Sequence, residues 1–418
     1  MSKLTFLLCA AVAGAVSSRA TAQQISPPIQ ARIDRILKST PLIDGHNDLA
    51  GELRDKYAGR TDMVAAGSDR LEQPLMTDVA RMRTGRMGGQ FWSVFITGTI
   101  TGNDAIRTTI EQIDITRRLI ATYPRDLELA STADDMVRIH RSGRIGSLLG
   151  IEGGRQIGGS LAALRLFHAL GVRYATLTHN QTTEWADSAT DVPKHGGLSP
   201  FGERVVGEMN RLGMLVDLSH VSPDTMRDAI RISRAPIIFS HSNAFALNPH
   251  PRNVPDDVFR LLRANGGIVM VNFYPAFLTP AATDWARNRT AEEARLKAVH
   301  PTSTDAQAAA LTAWEAAHPR PRVGVGVVAD HIEHIVQIAG VDHVGIGGDL
   351  DGVPYTVDGL GSVAGYPLLF AELVRRGWSD PDLAKLAGGN ILRAMRRAEA
   401  MAASMKDLPP ALDTLEPN

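Results

Sequence analysis

The stretch Leu42-Ile-Asp-Gly-His-Asn-Asp48 joins a short apolar run to two side chains that make good metal ligands. The run predicts a buried strand of a parallel sheet, because strands covered on both faces are almost continuously hydrophobic. His46 and Asp48 lie two residues apart at its end. Both therefore point to the same side of an extended chain and can reach one cation. The segment predicts a strand that ends in a polar site.

Seven further segments repeat this order of apolar run, polar residue, loop and helical stretch. The eight predicted strands are Leu42–Asp44, Gln90–Phe95, Ser147–Ile151, Tyr174–Thr178, Leu215–Ser219, Ile237–Ser240, Ile268–Asn272 and Val344–Gly347. Eight alternations of strand and helix favour an α/β fold of the (β/α)8 TIM-barrel type, as in metal-dependent hydrolases. An open doubly wound sheet is the alternative that the strand pattern leaves open.

Amphipathic segments between the runs predict the outer helices of the barrel. They include Leu161–Leu170, Gly202–Leu212, Pro223–Ile232 and Pro255–Ala264. Residues 275–328 break the rhythm and predict a helical insertion before the last strand, which is either a lid or a solvated decoration. We therefore expect one catalytic domain over residues 23–403, followed by a loose tail over residues 404–418.

Residues that can bind metals stand at the C-terminal ends of six of the eight predicted strands. They are His46 with Asp48, then Glu152, His179, His220, His241 and Asp349. A single histidine at a strand end is more often structural, but all these ends meet on one face of a barrel. Imidazole and carboxylate groups suit Zn²⁺ and related cations, so the joint pattern predicts a metal site. His195 and His250, in loops on the same face, are alternative substrate contacts.

The first 22 residues have the features of a cleaved signal peptide. Lys3 supplies a positive charge, Leu4–Val16 form a short apolar segment, and Ala20-Thr-Ala22 offers a cleavage site. We therefore expect an exported protein, periplasmic or secreted, without a membrane anchor. Cys9 is the only cysteine and lies in this segment, so the mature chain would have no disulfide or thiolate site. Lipid attachment at Cys9 is an alternative that its early position disfavours.

The overall composition gives no sign of a nucleic-acid partner. The formal net charge is −1, the aromatic content is 5%, and no stripe of basic and aromatic residues occurs. We therefore expect a small molecule as the partner of the polar site.

Six motifs in order resemble the membrane dipeptidase (renal dipeptidase) family of zinc peptidases, within the amidohydrolase-like superfamily. They are Pro41-Leu-Ile-Asp-Gly-His-Asn-Asp48, Gly150-Ile-Glu-Gly-Gly154, Asp217-Leu-Ser-His-Val-Ser222, Phe239-Ser-His-Ser242, Arg252-Asn-Val-Pro-Asp-Asp257 and Gly347-Gly-Asp-Leu-Asp-Gly352. The resemblance extends from about residue 40 to residue 400. It implies a metallo-dipeptidase that also accepts a D-residue at the C-terminal position.

The resemblance also implies a role for each strand-end residue. His46 and Asp48 would bind one zinc ion, His220 and His241 would bind a second, and Glu152 would bridge the two. His179 would contact the substrate near its scissile carbonyl, and Arg252 would pair with the free carboxylate of the dipeptide. Asp349 would transfer protons, and we expect hydrolysis through a metal-activated hydroxide.

The residues leave several alternatives open. The same metal centre would also suit the hydrolysis of a β-lactam, a lactone or an N-acyl amino acid, and a non-catalytic exported binding protein is a further alternative. Arg252 could instead form a surface ion pair with Asp256 or Asp257. We expect neither the disulfide nor the anchor that many animal members carry, so any homodimer should be non-covalent.

Overall fold

A computed structural model describes residues 25–411 of the chain. The strands of this region are β1 (Leu42–Asn47), β2 (Met87–Phe95), β3 (Leu127–Leu129), β4 (Ile145–Glu152), β5 (Val172–Thr176), β6 (Leu215–Asp217), β7 (Ile238–Phe239), β8 (Ile268–Val271) and β9 (Val344–Ile346). Eight of them pair in parallel in the order β2, β1, β9, β8, β7, β6, β5, β4, and β4 pairs back to β2. The sheet is therefore a closed barrel, which confirms the predicted fold and excludes the open sheet.

The strand β3 was not among the predicted runs. It pairs with the first half of β4, at Ile145–Ser147, while β5 pairs with the second half of the same strand. Its three residues are Leu-Glu-Leu, and only Leu127 is fully buried. A strand this short and this polar lacks the continuous apolar run that revealed the other eight.

Helices cover the outside of the barrel in the described region. They are α1 (Pro27–Ser39), α2 (Leu49–Tyr57), α3 (Val79–Thr84), α4 (Gly102–Thr122), α5 (Ala133–Arg141), α6 (Leu161–Ala169), α7 (Pro200–Leu212), α8 (Pro223–Ile232), α9 (Asp256–Asn265), α10 (Pro275–Leu278), α11 (Pro280–Val299), α12 (Thr304–Ala317), α13 (Val325–Ala339), α14 (Tyr366–Arg375), α15 (Asp380–Ala384) and α16 (Asn390–Ser404). A serine N-cap and a proline in the first turn begin both α7 and α8. Within residues 25–411, no helix is long and apolar enough to cross a membrane.

The predicted insertion consists of α10, α11 and α12. Helix α12 has no buried residue, and α11 buries only Ala282 and Leu296. Helix α13 begins at Val325, inside the predicted bounds of the insertion, but buries a full face against the barrel. The predicted signal peptide (residues 1–22) and Cys9 lie outside the described residues, as do residues 412–418 of the predicted tail.

Candidate metal centre

The polar residues predicted at the strand ends converge at one end of the barrel. His46 lies in β1 and Glu152 ends β4, while Asp48, His179, His220, His241 and Asp349 follow strands in the first residues of their loops. All seven are at least three-quarters buried. Three overlapping groups of these residues have ligand atoms within 4.8 Å of one another: His46, Asp48 and Glu152; Glu152, His220 and His241; and His46, His241 and Asp349.

The carboxylate of Glu152 lies between two sets of ligands. Its Oε2 faces His46, whose Nε2 is 3.4 Å away and also lies 3.2 Å from Oδ2 of Asp48. Its Oε1 faces the other two histidines, at 3.0 Å from Nε2 of His220 and 3.4 Å from Nε2 of His241. Each oxygen of one carboxylate can therefore serve a different cation.

The three histidines all direct Nε2 at the centre and use Nδ1 elsewhere. Nδ1 of His46 contacts the hydroxyl of Tyr174 at 2.8 Å, and Nδ1 of His220 contacts Oδ1 of Asn180 at 3.2 Å. Nδ1 of His241 lies 2.8 Å from the hydroxyl of Ser240. Metal-binding histidines characteristically have their second ring nitrogen engaged in this way, which fixes the ring orientation.

The electrostatics of the centre favour a cation. Burial, together with the positive charge of Arg252, lowers the pKa values of His220 and His241 well below their usual range. Burial alone would raise the pKa of Glu152, but the neighbouring histidines hold it well below its usual value. Burial would likewise lower the pKa of His46, yet Tyr174 and the nearby carboxylates raise it well above normal. The neutral imidazoles of His220 and His241 therefore face the carboxylate of Glu152 in a buried space.

This set of donors fits a metal ion. Nε2 of His46 is buried without a hydrogen-bond partner, and two imidazole nitrogens, Nε2 of His220 and of His241, lie only 2.9 Å apart. Nitrogen and oxygen donors without sulfur suit zinc and neighbouring divalent metals. A bound metal ion would give Nε2 of His46 a partner. A cation bound by both Nε2 of His220 and Nε2 of His241 would also remove the repulsion between these two nitrogens.

Asp349 lies beside the ligands on a strained loop. It has a φ of +58°, in the left-handed region that non-glycine residues seldom adopt. Asn272, which directly follows β8, donates from Nδ2 to Oδ2 of Asp349 at 2.8 Å. Burial, with the carboxylates Asp48 and Glu152 adding to it, raises the pKa of Asp349 to about 8. The side chain can therefore carry a proton near neutral pH, as a general acid or base must.

Arg252 is a buried cation beside the same centre. It is only 3% exposed, and its guanidinium lies 5.3 Å from the ring centroid of Phe277. Nη2 donates to the carbonyl of His241 at 3.4 Å, while Nε and Nη1 are buried without partners. The alternative ion pairs do not form, since Asp256 bonds to His334 and Asp257 bonds to Arg227. Burial lowers the pKa of Arg252 to about 10, which still leaves it charged at neutral pH.

An open cavity of about 330 Å³ connects the metal-ligand candidates with Arg252. The side chains that line it include Asp48, Glu152, His179, His220, Arg252, Tyr274, Phe277 and Asp349. Its size and mixed polar and aromatic lining are those of a small-molecule site. One part of the cavity wall is therefore positive, at Arg252, and another part is negative, at the cluster of carboxylates.

The remaining histidines occupy different positions. Nε2 of His179 lies 3.9 Å from Oε1 of Glu152, and its ring packs between those of Phe95 and His220 at the cavity wall. His195 contacts the carbonyl of Thr183 and does not line the cavity. His250 also lies outside the lining, where its Nδ1 accepts the backbone N–H of Arg252 at 3.2 Å.

Several residues of the site were missed by the sequence analysis. Asn272 follows an apolar run as the predicted ligands do, so the same signal could have found it. Tyr174 of β5 contacts His46 of β1, and only the closed barrel brings these two distant strands together. Ser240 directly precedes His241 in the chain and contacts its Nδ1. Tyr274 and Phe277 belong to a segment with no motif to mark it.

The sequence and the fold are similar to those of known proteins. Residues 30–408 match the sequence model of membrane dipeptidase (peptidase family M19). The chain is 41% identical over 394 residues to the dipeptidase aclJ of Aspergillus oryzae (strain ATCC 42149 / RIB 40), which covers 92% of this chain and 84% of that protein.

Solved structures agree with this match. The probable dipeptidase PvdM from Pseudomonas aeruginosa superposes with a TM-score of 0.76 at 24% identity, covering 90% of this chain and 100% of that one. A metallo peptidase from Rhodobacter sphaeroides, liganded with a phosphinate mimic of the dipeptide L-Ala-D-Ala, has a TM-score of 0.70 at 25% identity, covering 86% of this chain and 99% of that one. The first likeness shows the shared fold.

Proposed function

Because the chain belongs to the membrane dipeptidase family, peptidase family M19, and is thus a hydrolase of peptide bonds, we propose that it is a zinc-dependent dipeptidase with two metal ions per chain. The observation that carries the proposal is the position of Arg252, a buried and unpaired cation in the cavity that also holds the candidate ligands. An unpaired charge costs several kcal/mol to bury, roughly 3–5, unless a partner arrives. A free carboxylate of the substrate supplies that partner.

The metal ligands of the proposal are the residues around Glu152. His46 and Asp48 would hold one zinc ion, His220 and His241 would hold the other, and Glu152 would bridge them through its two oxygens. When bound, the zinc pair supplies the Lewis acidity that activates water and polarises the scissile carbonyl. The separation of the ligands into two sets, one at each oxygen of Glu152, supports this assignment.

Arg252 selects substrates that have a free terminal carboxylate. A planar guanidinium forms two parallel hydrogen bonds to a carboxylate, through Nη2 together with either Nε or Nη1. Both Nε and Nη1 of Arg252 are without a partner here. Since the guanidinium and the ligand cluster lie in one cavity, a substrate anchored at Arg252 reaches the cluster with its last peptide bond. This geometry favours the last peptide bond of a substrate with a free terminal carboxylate over substrates without one.

Asp349 and His179 act on the reacting bond. Asp349 would take a proton from the attacking water and return it to the leaving amine, a role for which its raised pKa suits it. His179 lines the cavity beside Glu152 and would hydrogen-bond to the substrate near its carbonyl oxygen. Asn272 keeps the carboxylate of Asp349 turned toward the ligands.

The finer substrate preference and the location of the enzyme also belong to the proposal. We propose that dipeptides with a C-terminal D-residue are accepted, which the L-Ala-D-Ala mimic bound to the Rhodobacter sphaeroides relative supports. We also propose that the protein is exported, on the strength of the charged and apolar pattern of residues 1–22. A homodimer, if one forms, would be non-covalent.

A substrate panel tests the function directly. L-L and L-D dipeptides, the corresponding dipeptide amides and N-acyl amino acids should be assayed with and without a chelator. The proposal predicts hydrolysis of the free dipeptides, loss of that activity with chelator, and much weaker activity on the amides. Equal rates on amides and free dipeptides, or hydrolysis of N-acyl amino acids alone, would contradict it.

A further inference from the structure

We propose that Asp217 and Ser240 are positioning residues that hold the ring proton of His241 on Nδ1 and so keep Nε2 free to bind metal. The inference rests on the proposed function, because it assigns His241 to the second zinc ion. It concerns a layer of the barrel below the ligands, where Asp217 ends β6 and Ser240 follows β7. Both side chains are completely buried.

Asp217 is surrounded by donors alone. Its Oδ1 accepts the backbone N–H groups of Ser219 and Ser240, at 3.1 and 2.8 Å. Its Oδ2 accepts the hydroxyls of Thr176 and Ser240, at 2.5 and 2.6 Å. With two donors at each oxygen, the carboxyl group is an acceptor in all four of these contacts.

The hydroxyl of Ser240 transmits this constraint to the imidazole. A serine hydroxyl has one proton, and the 2.6 Å contact commits it to Oδ2 of Asp217. The same oxygen lies 2.8 Å from Nδ1 of His241 and can only accept there, so Nδ1 must carry the hydrogen. A neutral imidazole has one N–H, and the lone pair therefore resides on Nε2, which faces Glu152 at 3.4 Å.

The other ligand histidines lack such a relay among the described residues. Tyr174 contacts Nδ1 of His46 with a hydroxyl that can either donate or accept. Asn180 contacts Nδ1 of His220 at 3.2 Å, a longer contact on the rim of the site. Among the described ligand histidines, His241 alone is linked to a buried carboxylate by a chain of short hydrogen bonds. We therefore expect the binding of the second zinc ion to depend on Asp217.

Two substitutions test the relay and a third is a matched control. Asp217→Asn places an amide NH₂ where Oδ2 stood, which donates to Ser240 and turns the hydroxyl proton toward Nδ1 of His241. Ser240→Ala removes the acceptor of the Nδ1 hydrogen. Thr176→Val is the control, because it deletes the other hydroxyl on Oδ2 of Asp217 and leaves Ser240 in place.

The readout is zinc affinity, measured by competition with a chelator on the full-length protein, together with the thermal midpoint of the metal-free form. We expect Asp217→Asn and Ser240→Ala to weaken the second zinc by about 10- to 100-fold, the usual effect of losing a partner behind a ligand. Thr176→Val should lower the thermal midpoint but change zinc affinity by less than about 3-fold. Should Asp217→Asn fail to fold, Ser240→Ala decides the question, because it removes a single oxygen.

Two results would overturn the relay. One is wild-type zinc affinity in both Asp217→Asn and Ser240→Ala; the other is an equal loss of affinity in Thr176→Val, which would mean that Asp217 only supports the fold. Zinc uptake and dipeptide hydrolysis by the wild-type protein distinguish a failure of the relay from a failure of the proposed function. A wild-type chain that takes up no zinc would refute both, whereas zinc-dependent dipeptide hydrolysis with unaffected variants would refute the relay alone.

Discussion

Nε2 of His220 lies 2.9 Å from Nε2 of His241, and both nitrogens face the same oxygen, Oε1 of Glu152. Two ring nitrogens at this distance repel each other unless a proton or a cation lies between them. Burial lowers the pKa values of both rings, which disfavours a second proton. A shared metal ion therefore explains the arrangement.

The first prediction concerns Asp349. Asp349→Asn should keep both zinc ions and lower turnover by about 100- to 10,000-fold, because the amide cannot carry the proton from water to the leaving amine. Metal analysis and steady-state kinetics on one preparation check both halves. Asp305→Asn, at an exposed position on α12, is the control and should leave both unchanged. Loss of zinc in Asp349→Asn would make this carboxylate a ligand instead.

The second prediction concerns Arg252. Arg252→Lys keeps a positive charge but loses the two parallel hydrogen bonds to the substrate carboxylate, so KM for dipeptides should rise by about 10- to 100-fold. The turnover number should change less, because the reacting groups are untouched. Dipeptide amides provide the control, since they lack the carboxylate. An equal rise in KM for the amides would show that Arg252 supports the fold of the cavity instead.

The third prediction concerns Gly352, which follows Asp351 at the cavity wall. A Cβ atom at Gly352 would meet Oδ2 of Asp48 at 2.1 Å and Oδ1 of Asp349 at 2.5 Å, so Gly352→Ala must displace both carboxylates. We expect a large loss of activity, by about 100-fold or more, as misplacement of about 1 Å commonly causes. The assay is turnover at saturating dipeptide together with bound zinc.

A second glycine gives the matched control for Gly352. Gly207 lies inside α7, and a Cβ atom there would meet nothing within 4 Å. Gly207→Ala should therefore raise the free energy of unfolding by about 0.5–1 kcal/mol and leave turnover unchanged. Full activity in Gly352→Ala would show that the two carboxylates need no fixed position.

The fourth prediction concerns the insertion. Its helices α11 and α12 bury few residues, and the ring of Trp285 contacts those of Trp314 and Tyr355 at centroid distances of 6.1 and 5.8 Å. Trp285→Ala should accelerate hydrogen exchange over residues 280–317 by about 10-fold or more, because local opening loses its main apolar contact. Exchange in β4 should not change and provides the internal control. Unaltered exchange in the insertion would refute this anchoring role.

Much of the fold could be predicted from the sequence because both faces of each barrel strand are buried. That burial makes the eight runs continuously apolar, and the structure has a strand in each of them. Five predicted runs extend one or two residues past the strand ends, to Thr178, Ser219, Ser240, Asn272 and Gly347. These residues leave the ladder because the chain turns there to bring polar side chains into the site.

The site was predictable only in part. A polar residue after an apolar run marks a position at the mouth of the barrel. This pattern predicted His46, Glu152, His220 and His241 as candidate metal ligands. The partners of those rings depend on which side chains of distant strands meet inside the barrel, as Tyr174 of β5 meets His46 of β1. Register is set by the closed sheet as a whole, so no local pattern in the sequence announces such a contact.

The central claim is that a pair of zinc ions held around Glu152 performs the hydrolysis. Zinc content and dipeptidase activity should be measured on the same protein before chelation, after complete removal of metal, and after stepwise return of zinc. We predict about two zinc ions per chain, loss of activity in the metal-free protein, and recovery that follows the returned zinc. Full dipeptidase activity in a protein free of metal would contradict the claim.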